Sequence, residues 1–208
     1  MKNLILVDHP IVRHTLAKLR DKNTDSASFR GAMNELARLI AYEATRDLET
    51  DNIDIETPMA KMKCEKILDW PVIVSIMRAG NGMLDGLLSM MPFAAAGHIG
   101  IYRDKFINNT VEYYFKLPPS MKGKHVFLAD PLLATGDTAV ACVDRLKQFE
   151  VGPIALLCIL TSKHGLEKLH HFHPDVKVYA CAVEPEMSEL GYLIPGLGDA
   201  GDRLYKTQ

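Results

Sequence analysis

Apolar residues along this chain follow two rhythms. From Phe29 they recur at three- and four-residue steps through Met33, Leu36, Ile40, Ala44 and Leu48, which predicts an amphipathic helix capped by Asp25 or Ser26. From Pro71 onward, short continuous apolar runs alternate with helical stripes. The runs Val72–Met77, His98–Tyr102, His125–Ala129, Ile154–Leu160 and Val176–Val183 have the length and apolarity of buried parallel strands. Helices are predicted at Met83–Met91, Ala139–Phe149 and Leu166–His173. In the second of these Val140, Val143, Leu146 and Phe149 share a stripe that Gly152-Pro153 ends. Before Asp25 a short arm is expected, and Asp51–Lys66, broken by Thr57-Pro58, reads as irregular structure or an edge hairpin. Strands alternating with helices argue for an α/β fold with a parallel sheet core flanked by helices on both faces. Ligands then belong at the carboxyl ends of the strands, where Arg78, Arg103, Asp130 and Thr161 fall.

Composition narrows the class. The 208 residues, 48% hydrophobic, suit one domain spanning 1–208. Apolar runs such as Pro71–Met77 and Ile154–Leu160 are far shorter than the roughly 20 residues of a membrane-spanning helix. The start MKNLILVDHP lacks the apolar core of a signal peptide, so a cytoplasmic protein is expected, without membrane association. A formal charge of −2 with interspersed signs gives no broad basic surface, and nucleic acid is not an expected partner. Cys64, Cys142, Cys158 and Cys181 are widely spaced and read as reduced thiols. The cluster His170-His171-Phe172-His173 has no matching second cluster and sits at a predicted helix end, where histidines near terminal carbonyls account for it without a metal.

The most informative segment is Asp130 to Thr138, between a predicted strand and a predicted helix. Thr135-Gly136-Asp137-Thr138 offers two hydroxyls, a glycine able to turn at positive φ, and backbone N–H groups at a helix N-terminus, the donors a phosphomonoester needs. Asp130, several residues earlier, suits a pair of sugar hydroxyls, so the segment spans the groups of a ribose 5-phosphate. An ordinary strand-to-helix loop, with Asp130 as a turn residue before Pro131 and Thr138 as an N-cap, accounts for the same residues. Arg78-Ala79-Gly80-Asn81-Gly82 also follows a strand and opens a helix, but its glycines at 80, 82 and 86 have the wrong spacing for a dinucleotide fingerprint.

Together these segments resemble the type I phosphoribosyltransferase family, which uses phosphoribosyl diphosphate (PRPP), and within it the uracil-using branch. The resemblance runs through YEATRDL at Tyr42–Leu48, RAGNGMLDG at Arg78–Gly86, Tyr102-Arg103, YYFKLP at Tyr113–Pro118, the 130–138 loop and, most specifically, GYLIPGLGDAGDR at Gly191–Arg203. It implies the type I fold, with a mobile hairpin loop beginning at Arg103 and a C-terminal base-binding hood. It implies Mg²⁺-dependent transfer of ribose 5-phosphate from PRPP to N1 of uracil, giving UMP and diphosphate. PRPP would be held by Arg78, Arg103, Asp130, Pro131, Leu132, Leu133, Ala134, Thr135, Gly136, Asp137, Thr138 and Asp199, with Arg78, Arg103, Asp130 and Asp199 as the catalytic set. Uracil would be read by Leu193, Gly198, Asp199 and Ala200, with Tyr192 nearby. A homodimer or homotetramer and a GTP effector are also implied, the latter without a residue to name.

The chain departs from that pattern at a few positions. Asn81 and Ser75 stand where leucine and proline are usual, Asp137 stands where glycine is usual, and Asn109 is atypical for the hairpin. Tyr205-Lys206-Thr207-Gln208 replaces a Phe-Gly-Thr ending, with an effect expected on packing alone. Asn81 and Asp137 also leave open an alternative, a catalytically weakened relative that senses PRPP or a nucleotide as a regulator.

Overall fold

A computed structural model of the chain describes residues 3–104 and 109–207. In chain order the elements are β1 (Leu4–Leu6), α1 (Pro10–Arg20), α2 (Ser26–Ala44), β2 (Thr50–Glu56), β3 (Lys61–Ile67), β4 (Val72–Met77), α3 (Asn81–Met90), β5 (Ala96–Asp104) and β6 (Asn109–Lys116). They continue with β7 (Val126–Ala129), β8 (Leu132–Leu133), α4 (Asp137–Lys147), β9 (Ile154–Leu157), β10 (Leu160–Ser162), α5 (Lys163–Phe172), β11 (Lys177–Ala180), β12 (Ala182–Glu184), β13 (Glu186–Met187), β14 (Leu193–Ile194) and α6 (Ala200–Tyr205).

The central sheet has seven strands in the order β1-β11-β9-β7-β4-β5-β6, parallel except for the edge strand β6. Successive side chains of a strand point to opposite faces, and the core divides accordingly. Ile73, Phe127, Ala155, Leu157 and Tyr179 pack with α1, α2 and α3, while Val72, Val74, Val126, Leu128, Leu156 and Val178 pack with α4 and α5. Both faces are buried, which is why these strands read as continuous apolar runs.

Two expected strands are broken. The runs Ile154–Leu160 and Val176–Val183 leave the main sheet at Cys158-Ile159 and at Cys181, and a third strand, β7, leaves it at Asp130-Pro131. The N–H groups of Ile159 and Leu160 both donate to the Pro131 carbonyl, and that of Cys181 donates to the Ile159 carbonyl. Beyond the break, β8, β10 and β12 form their own parallel sheet in the order β12-β10-β8. Asp130 thus sits where the backbone turns away from the main sheet.

Helix α1 replaces the expected N-terminal arm. Pro10 occupies its first turn, His9 Nδ1 accepts from the Ile11 N–H at 3.2 Å, and Val12, Leu16 and Leu19 bury one face. Asp25 caps α2 by accepting from the Ala27 and Ser28 N–H groups at 2.8 and 3.0 Å, which holds its carboxyl below the usual range through Ser28 first. That helix ends at Ala44, so Leu48 lies beyond the stripe that predicted it. Strands β2 and β3 form an antiparallel hairpin paired from Thr50↔Ile67 to Glu56↔Lys61, separate from the main sheet. Among the described residues no helix is long and apolar enough to cross a membrane.

Candidate active site

Three segments converge at the carboxyl edge of the sheet. The first is the turn from β4 into α3, which carries Arg78. Gly80 allows it to pass close to the end of β7, just before Asp130, because a Cβ there would lie 2.3 Å from the Ala129 carbonyl oxygen. Arg78 is exposed; its Nη2 is 3.3 Å from Asp202 Oδ1 and its Nη1 is 3.3 Å from Thr207 Oγ1. The Tyr205 hydroxyl donates to the Arg78 carbonyl at 3.2 Å. Tyr205 and Thr207, expected to affect packing alone, are therefore direct partners of Arg78.

The second segment is the loop from Asp130 to Thr138. Gly136 takes φ +86° as the N-cap of α4, two residues before Thr138, and as a glycine it contributes no side-chain cap. The Thr135 hydroxyl accepts weakly from the Asp137 N–H at 3.4 Å. Asp130, Leu132, Leu133, Ala134, Thr135, Gly136 and Thr138 line a cavity of about 80 Å³ together with Ala139 and Leu156. Its floor is fixed by α5, whose capping Ser162 hydroxyl donates to the Ala134 carbonyl at 2.6 Å. Burial pushes the Asp130 carboxyl up to about 7, only partly offset by the Leu132 N–H, which points at it from 3.5 Å. Asp137 begins α4, where a negative charge is favoured, and its carboxylate is ion-paired with Lys168 of α5.

The third segment, Gly191 to Arg203, folds over the other two. A Cβ on Gly191 would lie 3.4 Å from the Thr135 methyl, and one on Gly201 would lie 3.3 Å from Asp199 Oδ1 and 3.6 Å from Arg78 Nη2. Asp199 caps α6 by accepting from the Asp202 N–H at 2.9 Å. Leu193 and Ala200 are buried, whereas Gly198 and Asp199 are exposed and line a groove with Lys22, Thr24 and Lys206. Gly196, at φ +59°, closes the turn so tightly that a Cβ would lie 2.1 Å from the Leu193 carbonyl oxygen.

That turn has supports that sequence reasoning missed. Glu184, almost fully buried, pairs with Arg20 and accepts from the Gly196 N–H at 2.9 Å, while Arg20 donates to the Gly196 carbonyl at 3.0 Å. Burial pushes the Glu184 carboxyl upward, but Arg20 and the Gly196 N–H outweigh it and leave the group below its usual range. Arg203 donates to the carbonyls of Leu197 and Asp21, at 2.8 and 2.6 Å, from over the ring of Phe29. Nothing local in the sequence marks Arg20 or Glu184, which sit among other charged residues and meet only through the fold.

Two expected positions stand apart. The backbone of Arg103 lies in β5, paired with Thr110 and three residues beyond Gly100, which faces the last residue of β4. At about 3.3 Å per residue it therefore extends roughly 10 Å past that strand end. Its side chain and residues 105–108 lie outside the described residues. Thr161 is fully buried with its hydroxyl 3.4 Å from the Leu133 carbonyl, a contact internal to the fold. A larger cavity of about 440 Å³ opens at the opposite edge of the sheet, by His125, Pro153 and Lys177, away from all three segments.

The fold and this arrangement of donors at the strand ends define the type I phosphoribosyltransferase class. A hypoxanthine phosphoribosyltransferase structure from Staphylococcus aureus shares the fold, at TM-score 0.51 and 12% identity over 76% of this chain and 77% of its own. A solved structure from Aquifex aeolicus superposes at TM-score 0.92, with 28% identity over 99% of both chains. The profile of the uracil phosphoribosyltransferase family matches residues 6–207, and a uracil phosphoribosyltransferase from Variovorax paradoxus is 48% identical over the full length of both chains. The chain belongs to the uracil phosphoribosyltransferase family.

Proposed function

We propose that this chain transfers ribose 5-phosphate from PRPP to N1 of uracil, releasing UMP and diphosphate, with inversion at the anomeric carbon. The observation that carries this reading is the meeting of Arg78 with Asp199 and Asp202 around Gly201, which puts an anion-binding guanidinium beside the family's base-reading segment.

In this reading the 5-phosphate enters the 134–138 loop, where Thr135, Gly136 and Thr138 offer hydroxyl and N–H donors at the start of α4. Asp130 accepts from the ribose hydroxyls, and those donors favour its ionised form against the effect of burial. Pro131 and Leu132 to Ala134 set the distance between the two groups. Arg78 pairs with the diphosphate, and Arg103 closes over it from the β5–β6 hairpin, where a planar guanidinium that stays charged binds phosphate in two places. Leu193, Gly198, Asp199 and Ala200 present backbone groups to uracil. Cytosine inverts part of that donor and acceptor pattern and would leave buried groups unpaired. The protein's work is orientation and charge neutralisation as an oxocarbenium-like transition state develops, with no covalent intermediate on the enzyme.

The site suits Mg²⁺ carried in on the substrate. Among the described residues no cluster of three or more His, Cys, Asp or Glu is placed to hold a metal, while the exposed Asp199 offers an oxygen of the kind Mg²⁺ uses alongside phosphates and water. When bound, the ion would supply positive charge against the leaving diphosphate. The same reading includes a cytoplasmic homodimer or homotetramer, supported by exposed apolar side chains such as Met59, Phe93 and Tyr42, and a response to GTP, supported by the family resemblance alone.

The regulatory alternative gains nothing from its two supports. Asn81 is hydrogen-bonded to Ser75, and Asp137 is ion-paired. The reading is tested by following diphosphate release from PRPP with and without uracil. Release that requires uracil supports it, and release independent of any base contradicts it.

A further inference from the structure

Ser75 and Asn81, the two departures near the Arg78 turn, are bonded to each other. Ser75 is fully buried in β4, and its hydroxyl oxygen lies 2.7 Å from Asn81 Oδ1 and 2.7 Å from Nδ1 of His98, its cross-strand partner in β5. A serine hydroxyl has one proton to give. With Oδ1 of Asn81 facing it, that proton goes to Asn81, and His98 supplies its own Nδ1–H to the serine oxygen. With the amide reversed, the chain runs from Asn81 through Ser75 to His98. In both cases the three groups form a directional file in which each member fixes the next.

The file ends at a mechanically important point. Asn81 is the first residue of α3, three positions after Arg78, and its N–H donates to the Arg78 carbonyl at 3.2 Å. The Gly80 N–H donates back to Ile76 in β4 at 2.8 Å, and that of Met83 donates to Gly80 at 3.0 Å. A shift of the Asn81 side chain therefore moves the short turn that aims the Arg78 guanidinium.

We propose that Ser75, Asn81 and His98 form a positioning relay that sets the Arg78 turn for the diphosphate arm of PRPP. The proposal rests on the PRPP reading above. Ser75 is the shared member, bonded to both Asn81 and His98, so loss of either neighbour's partner disturbs the same turn.

The test compares steady-state kinetics, melting temperature and the PRPP-induced shift in melting temperature. Ser75→Ala and Asn81→Leu are each expected to raise the KM for PRPP about tenfold and to shrink the PRPP-induced shift. The KM for uracil and kcat at saturating PRPP should stay within about twofold. The double variant Ser75→Ala/Asn81→Leu should raise the KM for PRPP little further than either single change, as expected of two members of one hydrogen-bonded unit. His98→Asn, which keeps a polar nitrogen near the Nδ1 position, should preserve it where His98→Ala does not. An unchanged KM for PRPP in the single variants despite a lower melting temperature would reduce the relay to a structural contact and overturn the proposal. Equal losses for PRPP and uracil would overturn it too. A wild-type protein that neither turns over nor is stabilised by PRPP would instead remove the PRPP reading, and the relay with it.

Discussion

Asp137, in the first turn of α4, is ion-paired with Lys168 of α5 across the mouth of the 134–138 loop. A carboxylate at the mouth of a phosphate-binding loop would oppose a bound phosphate, and Lys168 offsets that charge. The side chain of Lys168 also approaches the turn itself, since a Cβ on Gly136 would lie 3.2 Å from Lys168 Cβ. Lys168→Met is expected to raise the KM for PRPP about tenfold, equivalent to ~1.4 kcal/mol of binding. Asp137→Gly/Lys168→Met should recover most of the loss. Equal KM values for wild type and Lys168→Met would show that Asp137 does not act on the phosphate.

Asp130 links pH, stability and turnover. Its carboxyl is pushed up from 3.8 to about 7 by burial, so between roughly pH 4 and 7 the folded protein holds a proton that the unfolded chain has released. Stability of the unliganded protein then falls as pH rises through that window. Asp130→Asn should raise stability at pH 8 by on the order of 4 kcal/mol, with little change at pH 4, while lowering kcat at least about 100-fold. Denaturant melts at the two pH values, with kinetics alongside, check both. A variant less stable than wild type at pH 8 would contradict the buried-charge account.

Much of the fold was legible, because strands buried on both faces leave continuous apolar runs and α2 leaves a clean stripe. Helix α1 was legible in principle, since Pro10 and the spacing of Val12, Leu16 and Leu19 mark it, but its short length made an arm the simpler reading. The breaks in β9 and β11 were not legible, because apolarity does not record that the backbone at Ile159 changes its pairing to Pro131. In the candidate site, the 130–138 loop carried a local signal in its glycine and hydroxyls between strand and helix, whereas Lys168, Arg20, Glu184 and His98 make their contacts with residues distant in sequence. Tyr205 and Thr207 were assigned to packing because nothing in a terminal Tyr-Lys-Thr signals a contact with Arg78, some 130 residues earlier.

Glu184 holds the turn at Gly196 and should matter to stability and to the base. Its folded-state value is below 4.5, so its contribution is present above about that pH and is lost as pH falls through the folded-state value. Glu184→Gln is expected to cost about 3 kcal/mol near neutral pH and to raise the KM for uracil more than that for PRPP. A uracil KM unchanged in a folded variant would separate the turn from base recognition.

Arg103→Ala should raise the KM for PRPP and lower kcat, together reducing kcat/KM by at least about 30-fold, the scale of a lost arginine–phosphate pair. A change of melting temperature no larger than about 2 °C is expected, because Arg103 leads into the hairpin at the far end of β5. Unchanged kinetics would remove Arg103 from the reaction.

The central claim is tested most directly by measuring UMP formation from PRPP with uracil, and the corresponding nucleotides with cytosine, hypoxanthine and orotate, each with and without Mg²⁺. Turnover that requires Mg²⁺ and is confined to uracil is the expected result, and it would confirm the transferase and the base-reading segment together. Nucleotide formation with another base at a comparable rate would contradict the assignment of Leu193 and Gly198 to Ala200. Absence of turnover with every base, despite stabilisation by PRPP, would contradict the enzyme itself and make a PRPP sensor the better account.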